Sequence, residues 1–185
     1  MTDNDVAPLR DRRGIPGIRG GDHFGFTVPD MDQAHTFLVD VLGASHVYSL
    51  PGKSANDNWM QDTIGVHPQS QIIEIRFYRL ANGANFELFT YDAPAQNPQP
   101  SNSDIGGHHV AFYVDDIDEA IEYLKAKDVE VLSGPTESQG PAHGQRWIYF
   151  KAPWGMQFEL VSYPQGKAYE VDAEVLLWHP KFPDD

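Results

Sequence analysis

Cysteine is absent from the sequence. Disulfide bonds and thiolate metal ligands are therefore excluded, so any metal site has to use His, Asp, Glu or main-chain oxygen. Long apolar runs are also missing: no stretch approaches the roughly 18 residues that a membrane-spanning helix needs, and residues 1–20 contain no apolar segment of signal-peptide length. We expect a soluble, cytoplasmic protein without a membrane partner.

Basic residues are scarce. Lys and Arg total 13 against 27 Asp and Glu, which gives a net charge of −14. Because contacts to nucleic-acid phosphates come from Lys and Arg, this balance argues against a nucleic-acid partner. The hydrophobic content of 41% over 185 residues is ordinary for a globular protein and suffices for one large core or two small packed modules.

An internal repeat is the most informative feature of the chain. The segment HFGFTVPDMDQAHTFL, which begins at His23, matches HVAFYVDDIDEAIEYL, which begins at His109. The two copies share Asp seven and nine positions after the His, Ala eleven after it and Leu fifteen after it. The copies also end alike, because GANFEL and GMQFEL place Glu87 and Glu159 at equivalent positions.

The hydrophobic pattern of each copy predicts a strand, a helix and three further strands. In the first copy Asp30 is the expected helix N-cap and Asn82-Gly83 the turn between the last two strands. We expect an α+β fold of two tandem βαβββ modules. The predicted divisions are an arm at 1–20, a first module at 21–91, a linker at 92–105, a second module at 106–163 and a C-terminal tail at 164–185.

Each copy offers one His on its first strand and one Glu on its last. A buried carboxylate is unfavourable unless it is paired or bound to metal, yet both Glu residues lie within apolar strands. Pairing of the two copies would bring His23, Glu87, His109 and Glu159 together. Two imidazoles and two carboxylates suit one divalent ion such as Zn, Ni, Co, Mn or Fe and leave coordination positions open.

The chain resembles the vicinal oxygen chelate superfamily, which includes glyoxalase I, methylmalonyl-CoA epimerase, extradiol dioxygenases and bleomycin-resistance proteins. The segments that carry the resemblance are DHFGFTVPDMDQAHTFLVDVLG, GHHVAFYVDDIDEAIEYL and APWGMQFELVSYP. The resemblance implies paired modules that form a cupped mixed sheet around a metal, and the His/Glu/His/Glu set is most similar to that of glyoxalase I. It also implies a homodimer.

The activity implied by the resemblance is proton transfer next to a carbonyl, in a metal-dependent isomerase or lyase. In glyoxalase-like sites a ligand carboxylate also acts as the base, so Glu159 is the first candidate and Glu87 its symmetrical partner. Glu74 is a further candidate base by resemblance to the epimerase. The alternative is that Glu74 is a solvated strand residue without a catalytic role. The implied partner is a small-molecule substrate, a hydroxy-carbonyl compound of a class that includes sugar-like ones. Both glyoxalase-like isomerisation and epimerisation of such a compound remain open.

Candidate substrate contacts lie mainly in loops. The insert at 51–70, present only in the first copy, contains Trp59 and Met60, which we expect either to cover the open metal positions or to form a dimer contact. His143 lies in a glycine-rich loop, and Arg146 would bind an anionic group of a substrate.

Two other functions remain open. An Fe(II) extradiol dioxygenase uses two His and one Glu, so the additional carboxylate of this chain argues against that branch. A resistance-type binding protein would sequester a small molecule without catalysis, and such proteins generally lack the metal ligands. Metal content and dependence on oxygen separate these functions from an isomerase.

Overall fold

The computed structural model describes residues 15, 16, 18, 20–55 and 57–182, so the predicted arm at 1–20 lies almost wholly outside the described residues. Two α+β modules follow one another along the chain, each with a four-stranded mixed sheet. The predicted fold class is confirmed. The described residues include no helix that is long and apolar enough to cross a membrane.

The first module contains four strands and two helices: β1 (Phe24–Thr27), α1 (Met31–Thr36, continued by a π-helical segment Phe37–Val41), β2 (Ser45–Lys53), α2 (Trp59–Ile64), β3 (Gln71–Leu80) and β4 (Ala84–Asp92). The sheet order is β1-β4-β3-β2, and β1 is parallel to β4. Asp30 caps α1 as predicted, because its carboxylate accepts hydrogen bonds from the backbone N–H groups of Asp32 and Gln33, both at 2.9 Å.

The second module repeats this arrangement with β5 (Val110–Tyr113), α3 (Ile117–Ala126), β6 (Thr136–Glu137), β7 (Arg146–Lys151) and β8 (Gln157–Ser162). Its sheet order, β5-β8-β7-β6, is the same as that of the first module. Asp116 caps α3 as Asp30 caps α1. The repeat seen in the sequence is therefore a repeat of structure.

Alternation along the strands divides each sheet into a core face and an open face. Phe86 and Leu88 flank Glu87, and Phe158 and Leu160 flank Glu159; all four apolar side chains are buried. The core faces of the two modules belong to one hydrophobic cluster, in which the ring centres of Phe26 and Phe158 lie 6.5 Å apart. Each fully buried ring contributes roughly 1.5–3 kcal/mol. The His and Glu residues of the repeat consequently share the opposite, open faces.

The C-terminal tail connects the modules. Its described part begins after β8 and includes a short 3-10 helix, Ala168–Val171. His179 packs on Tyr113 and Tyr163, with ring centres 4.6 and 4.8 Å away. The side-chain amide of Asn82, in the β3–β4 turn, donates a hydrogen bond to the carbonyl of Pro180. The tail therefore runs from the end of the second module back to a hairpin of the first.

Candidate active site

The first module brings together one predicted His and one predicted Glu. Gly25 of β1 lies in register with Glu87 of β4, and His23 immediately precedes β1, so both side chains reach the open face. His23 Nε2 lies 3.1 Å from Glu87 Oε2. The imidazole also contacts the edge of the Phe77 ring, with centroids 6.2 Å apart.

The second module holds the equivalent pair. Ala111 of β5 lies in register with Glu159 of β8, and His109 Nε2 lies 2.9 Å from Glu159 Oε2. Tyr149 takes the place of Phe77, because it is the register partner of Glu159 on β7 and contacts the ring of His109 at 5.1 Å. Each module thus presents one imidazole and one carboxylate against an aromatic ring.

Asp22 orients the imidazole of His23. Its carboxylate accepts a hydrogen bond from His23 Nδ1 at 2.7 Å, which leaves Nε2 facing Glu87. This bond is the largest of the influences that raise the pKa of His23, with burial acting against it and Glu87 adding to it. Metal-binding histidines commonly have their second ring nitrogen fixed by a carboxylate in this way. Sequence reasoning missed Asp22, although its position beside His23 was visible.

The two carboxylates differ in their surroundings. The side chain of Glu159 is 11% exposed against 18% for Glu87. Burial raises the pKa of Glu159, while the neighbouring His109 and, more weakly, Lys167 act to lower it. A carboxylate with a raised pKa is a stronger proton acceptor once it is ionised, so Glu159 is better suited than an exposed carboxylate to remove a proton from carbon.

The donor pairs fit a divalent ion. The N···O separations of 3.1 and 2.9 Å are those of direct imidazole–carboxylate contacts. They are also close to the roughly 3.0 Å between two ligands that lie about 2.1 Å from one ion and at right angles to each other, as in octahedral coordination. Among the residues that the structure describes, however, no group of three or more His, Asp or Glu side chains is placed to hold a metal. Within one chain the four predicted ligands therefore form two separate His–Glu pairs, and the four-ligand site stays a prediction.

Glu74 and Arg146 lie on the core faces, away from the two pairs. Glu74 receives two hydrogen bonds from Arg76, at 2.7 and 3.0 Å, and Arg76 also contacts Asp32 of α1. Arg146 is bound to Asp118 of α3 at 2.7 and 2.9 Å. Glu74 is thus bound by Arg76, which reaches α1, and Arg146 joins β7 to α3. Neither side chain lies beside Glu87 or Glu159.

The remaining predicted site residues lie in the insert at 51–70 and in the glycine-rich loop. Met60 is 0% exposed, so its side chain anchors α2 instead of lining an open surface. The ring of Trp59 is covered by the ammonium of Lys53, whose Nζ lies 3.3 Å from the ring centre. His143 is exposed, and its carbonyl accepts a hydrogen bond from the backbone N–H of Ala168 in the tail.

Comparison with known proteins agrees with this architecture. Residues 22–150 match the model of the glyoxalase/bleomycin resistance protein/dioxygenase superfamily. The chain is also 46% identical over 172 residues to 2-epi-5-epi-valiolone epimerase from Actinomyces sp., and the match covers 91% of this chain and 93% of that protein.

Solved structures show the same fold. A glyoxalase family protein from Bacillus cereus superimposes with a TM-score of 0.60 at 18% identity, covering 80% of this chain and 98% of that one. The fosfomycin resistance protein FosX from Listeria monocytogenes, in a variant complexed with Mn(II), has a TM-score of 0.53 at 20% identity and coverages of 84% and 99%.

The duplicated sheet, the repeated His/Glu pairs and the family match define the class: the chain belongs to the glyoxalase/bleomycin resistance/dioxygenase, or vicinal oxygen chelate, superfamily. The resemblance predicted from the sequence is confirmed. Its similarity to a named epimerase over nearly the whole chain identifies it as an enzyme of the isomerase type, with an epimerase-like reaction.

Proposed function

We propose that the protein is a metal-dependent epimerase that inverts a carbon next to the carbonyl of a polyhydroxylated cyclic ketone, such as 2-epi-5-epi-valiolone. The observation that carries this proposal is the 46% identity, over 91% of the chain, to the Actinomyces epimerase named for that compound. The net charge of −14 agrees with an uncharged substrate, because the protein's field repels anions.

His23, Glu87, His109 and Glu159 are the residues that would hold one divalent ion. Their support is the separation of each N···O pair and the bond from Asp22 to His23. A bound ion would supply Lewis-acid polarisation of the substrate carbonyl.

The chain's own carboxylates carry the proton transfers. Ionised Glu159 accepts the proton from the carbon next to the carbonyl, and protonated Glu87 delivers a proton to the opposite face of the same carbon, so that configuration is inverted. Solvent then removes the proton from Glu159 and returns one to Glu87, which restores both carboxyl groups for the next turnover. The supporting observations are the lower exposure of Glu159 and its pKa, which burial raises. The aromatic rings of Phe77 and Tyr149 would limit water around each pair.

A second copy of the chain would complete the site as a homodimer. The described part of each copy holds no group of three or more His, Asp or Glu side chains placed to bind a metal, and both histidines are more than one-third exposed. Strand β2 is exposed along its length and carries the apolar side chains Val47, Tyr48 and Leu50. Exposed apolar surface of this kind is typical of an interface. Joining the first module of one copy to the second module of the other would bring four donors together.

The reaction is tested by incubating the protein with 2-epi-5-epi-valiolone in deuterium oxide and following the compound by proton NMR. We expect deuterium at the carbon next to the carbonyl, together with the epimer, and no consumption of oxygen. Treatment with a chelator should abolish both signals, and added Mn²⁺ or Zn²⁺ should restore them. Absence of exchange and of epimer in metal-loaded protein would refute the proposal.

The shared site is tested by complementation between two inactive chains. One chain carries His23→Ala and Glu87→Gln, and the other carries His109→Ala and Glu159→Gln. If each site takes one module from each copy, a mixed dimer contains one intact site and regains about half of the wild-type activity per dimer. Sites built within a single chain would leave every mixed dimer inactive. Each double variant alone is the control.

A further inference from the structure

The chain turns back on itself directly after β8. Gly166, at φ +79°, donates its backbone N–H to the carbonyl of Tyr163 at 2.9 Å. This turn places Lys167 over Tyr163, with Nζ 4.0 Å from the centre of the buried ring. An ammonium over an aromatic face is attracted by the negative charge on that face. The ring of Tyr163 therefore stabilises the ammonium of Lys167 in this position.

The glycine-rich loop fixes the backbone of Lys167. The backbone N–H of Ala168 donates to the carbonyl of His143 at 2.9 Å. On the other side of Lys167, the carbonyl of Gly166 packs against Gly144 so closely that a Cβ on Gly144 would lie 2.5 Å from it. Residues on both sides of Lys167 are therefore held by one loop.

Lys167 acts on the open face of the second module. Glu159 and Tyr163 lie four residues apart, so alternation continued past β8 places Tyr163 on the same face as Glu159. Burial lowers the pKa of Lys167, and the charges of Glu170 and Glu159 oppose that effect. The ring of Tyr163 thus carries the ammonium of Lys167 on the same open face as the carboxylate of Glu159.

Two neighbouring cations on β7 are engaged elsewhere. Lys151 Nζ is bound to Glu130 at 2.7 Å, and Arg146 is bound to Asp118. Neither Glu130 nor Asp118 belongs to the His109–Glu159 pair of the open face. Lys167, held over Tyr163, is a cation that these two contacts leave on the open face of the second module. Its three N–H donors suit the hydroxyl and carbonyl oxygens of a polyhydroxylated ketone.

We propose that the ammonium of Lys167 binds a substrate oxygen beside the carbon that Glu159 deprotonates, and that it both orients the substrate and stabilises the negative charge that develops on that oxygen. This inference rests on the proposed function. It assigns a substrate contact to the C-terminal tail, outside the repeated modules.

The kinetic test replaces Lys167 by Met, which keeps the length of the side chain and removes its charge. Loss of one charged donor to a developing oxyanion lowers kcat/KM by about 10²–10³-fold, and we expect a loss of that order with 2-epi-5-epi-valiolone. Lys125→Met is the matched control, because Lys125 lies on α3 and contacts only Glu122 among the ion pairs described. Lys167→Arg, which retains the charge, should recover part of the activity. A Lys167→Met enzyme within threefold of wild type would overturn the proposal.

A second measurement uses wild-type protein and does not require turnover. The metal-loaded protein is treated with an amine-acylating reagent with and without 2-epi-5-epi-valiolone, and the labelling of each lysine is read by mass spectrometry. We expect the compound to protect Lys167 and not Lys125. Protection without exchange or epimer would refute the proposed reaction and retain the Lys167 contact. Turnover without protection would refute the contact alone, and loss of both signals would refute both.

Discussion

The carbonyl of Gly166 occupies the space that a side chain at Gly144 would need. An ideal Cβ at Gly144 lies 2.5 Å from this oxygen, and the φ of +101° at Gly144 is one that residues with a side chain rarely adopt. Both restrictions act on the loop that holds the backbone around Lys167. The tail and the loop therefore form one unit.

Gly144→Ala should disrupt the contact between the C-terminal tail and the glycine-rich loop. We expect the free energy of unfolding to fall by about 2–4 kcal/mol, because backbone strain and the close contact add together, and kcat/KM to fall with it. Gly65→Ala is the control: Gly65 has a φ of +71° but nothing within 4 Å of its ideal Cβ, so strain alone should cost about 1 kcal/mol. Chemical denaturation measures both. Equal losses in the two variants would show that the Gly144–Gly166 contact has no energetic role.

Asp22→Asn should weaken metal binding without removing a ligand. Asp22 holds Nδ1 of His23 at 2.7 Å, and loss of such an orienting carboxylate typically lowers metal affinity about 10–100-fold. Competition with a chromogenic chelator measures the affinity. Asp62→Asn, at an exposed position of α2, should leave it unchanged. If both variants bind metal as wild type does, Asp22 does not orient a ligand.

Glu159→Gln should abolish deuterium exchange, with a loss in kcat of at least about 10²–10⁴-fold as expected for removal of a general base. Glu87→Gln should retain exchange to a greater extent than it retains formation of the epimer, because the first proton transfer is assigned to Glu159. Metal content must be measured for each variant. Exchange that persists in metal-loaded Glu159→Gln would assign the base elsewhere.

The same substitution should alter the pH dependence of stability of the metal-free protein. Burial raises the pKa of Glu159 above its ordinary value of 4.5. Its contribution to stability is therefore fully present below that ordinary value and is lost as the pH rises through the higher value of the folded protein. Melting temperatures of Glu159→Gln and wild type should diverge over this window, with the variant gaining relative stability towards neutral pH. Parallel curves would contradict a raised pKa.

The repeat explains why so much of the fold could be predicted. Two aligned copies, each with an Asp before its helix and a Phe-Glu-Leu strand at its end, determine the strand and helix order and the equivalence of Glu87 and Glu159. Glu74 could not be placed in the same way, because its face depends on the register between β3 and β4. That register aligns Phe77 with Glu87, which puts Glu74 with Arg76 on the helix side.

Features outside the repeat were harder to predict. Lys167 has no counterpart in the first copy, and its position depends on a turn at Gly166 and a contact with a distant loop. Met60 lies in the insert, where no second copy shows which side chains face inward. The four predicted ligands form two separate His–Glu pairs because of the way the two modules pack. Sequence periodicity within one module carries no information about that packing.

The C-terminal tail makes the two halves of a duplicated protein unequal. The stack of Tyr113, Tyr163 and His179 covers the strand ends on one side of the second module's open face, while His109 stands at the opposite end of β5. The two open faces are consequently unlike in their chemistry, because the aromatic stack and the ammonium of Lys167 over Tyr163 lie at the end of the second face.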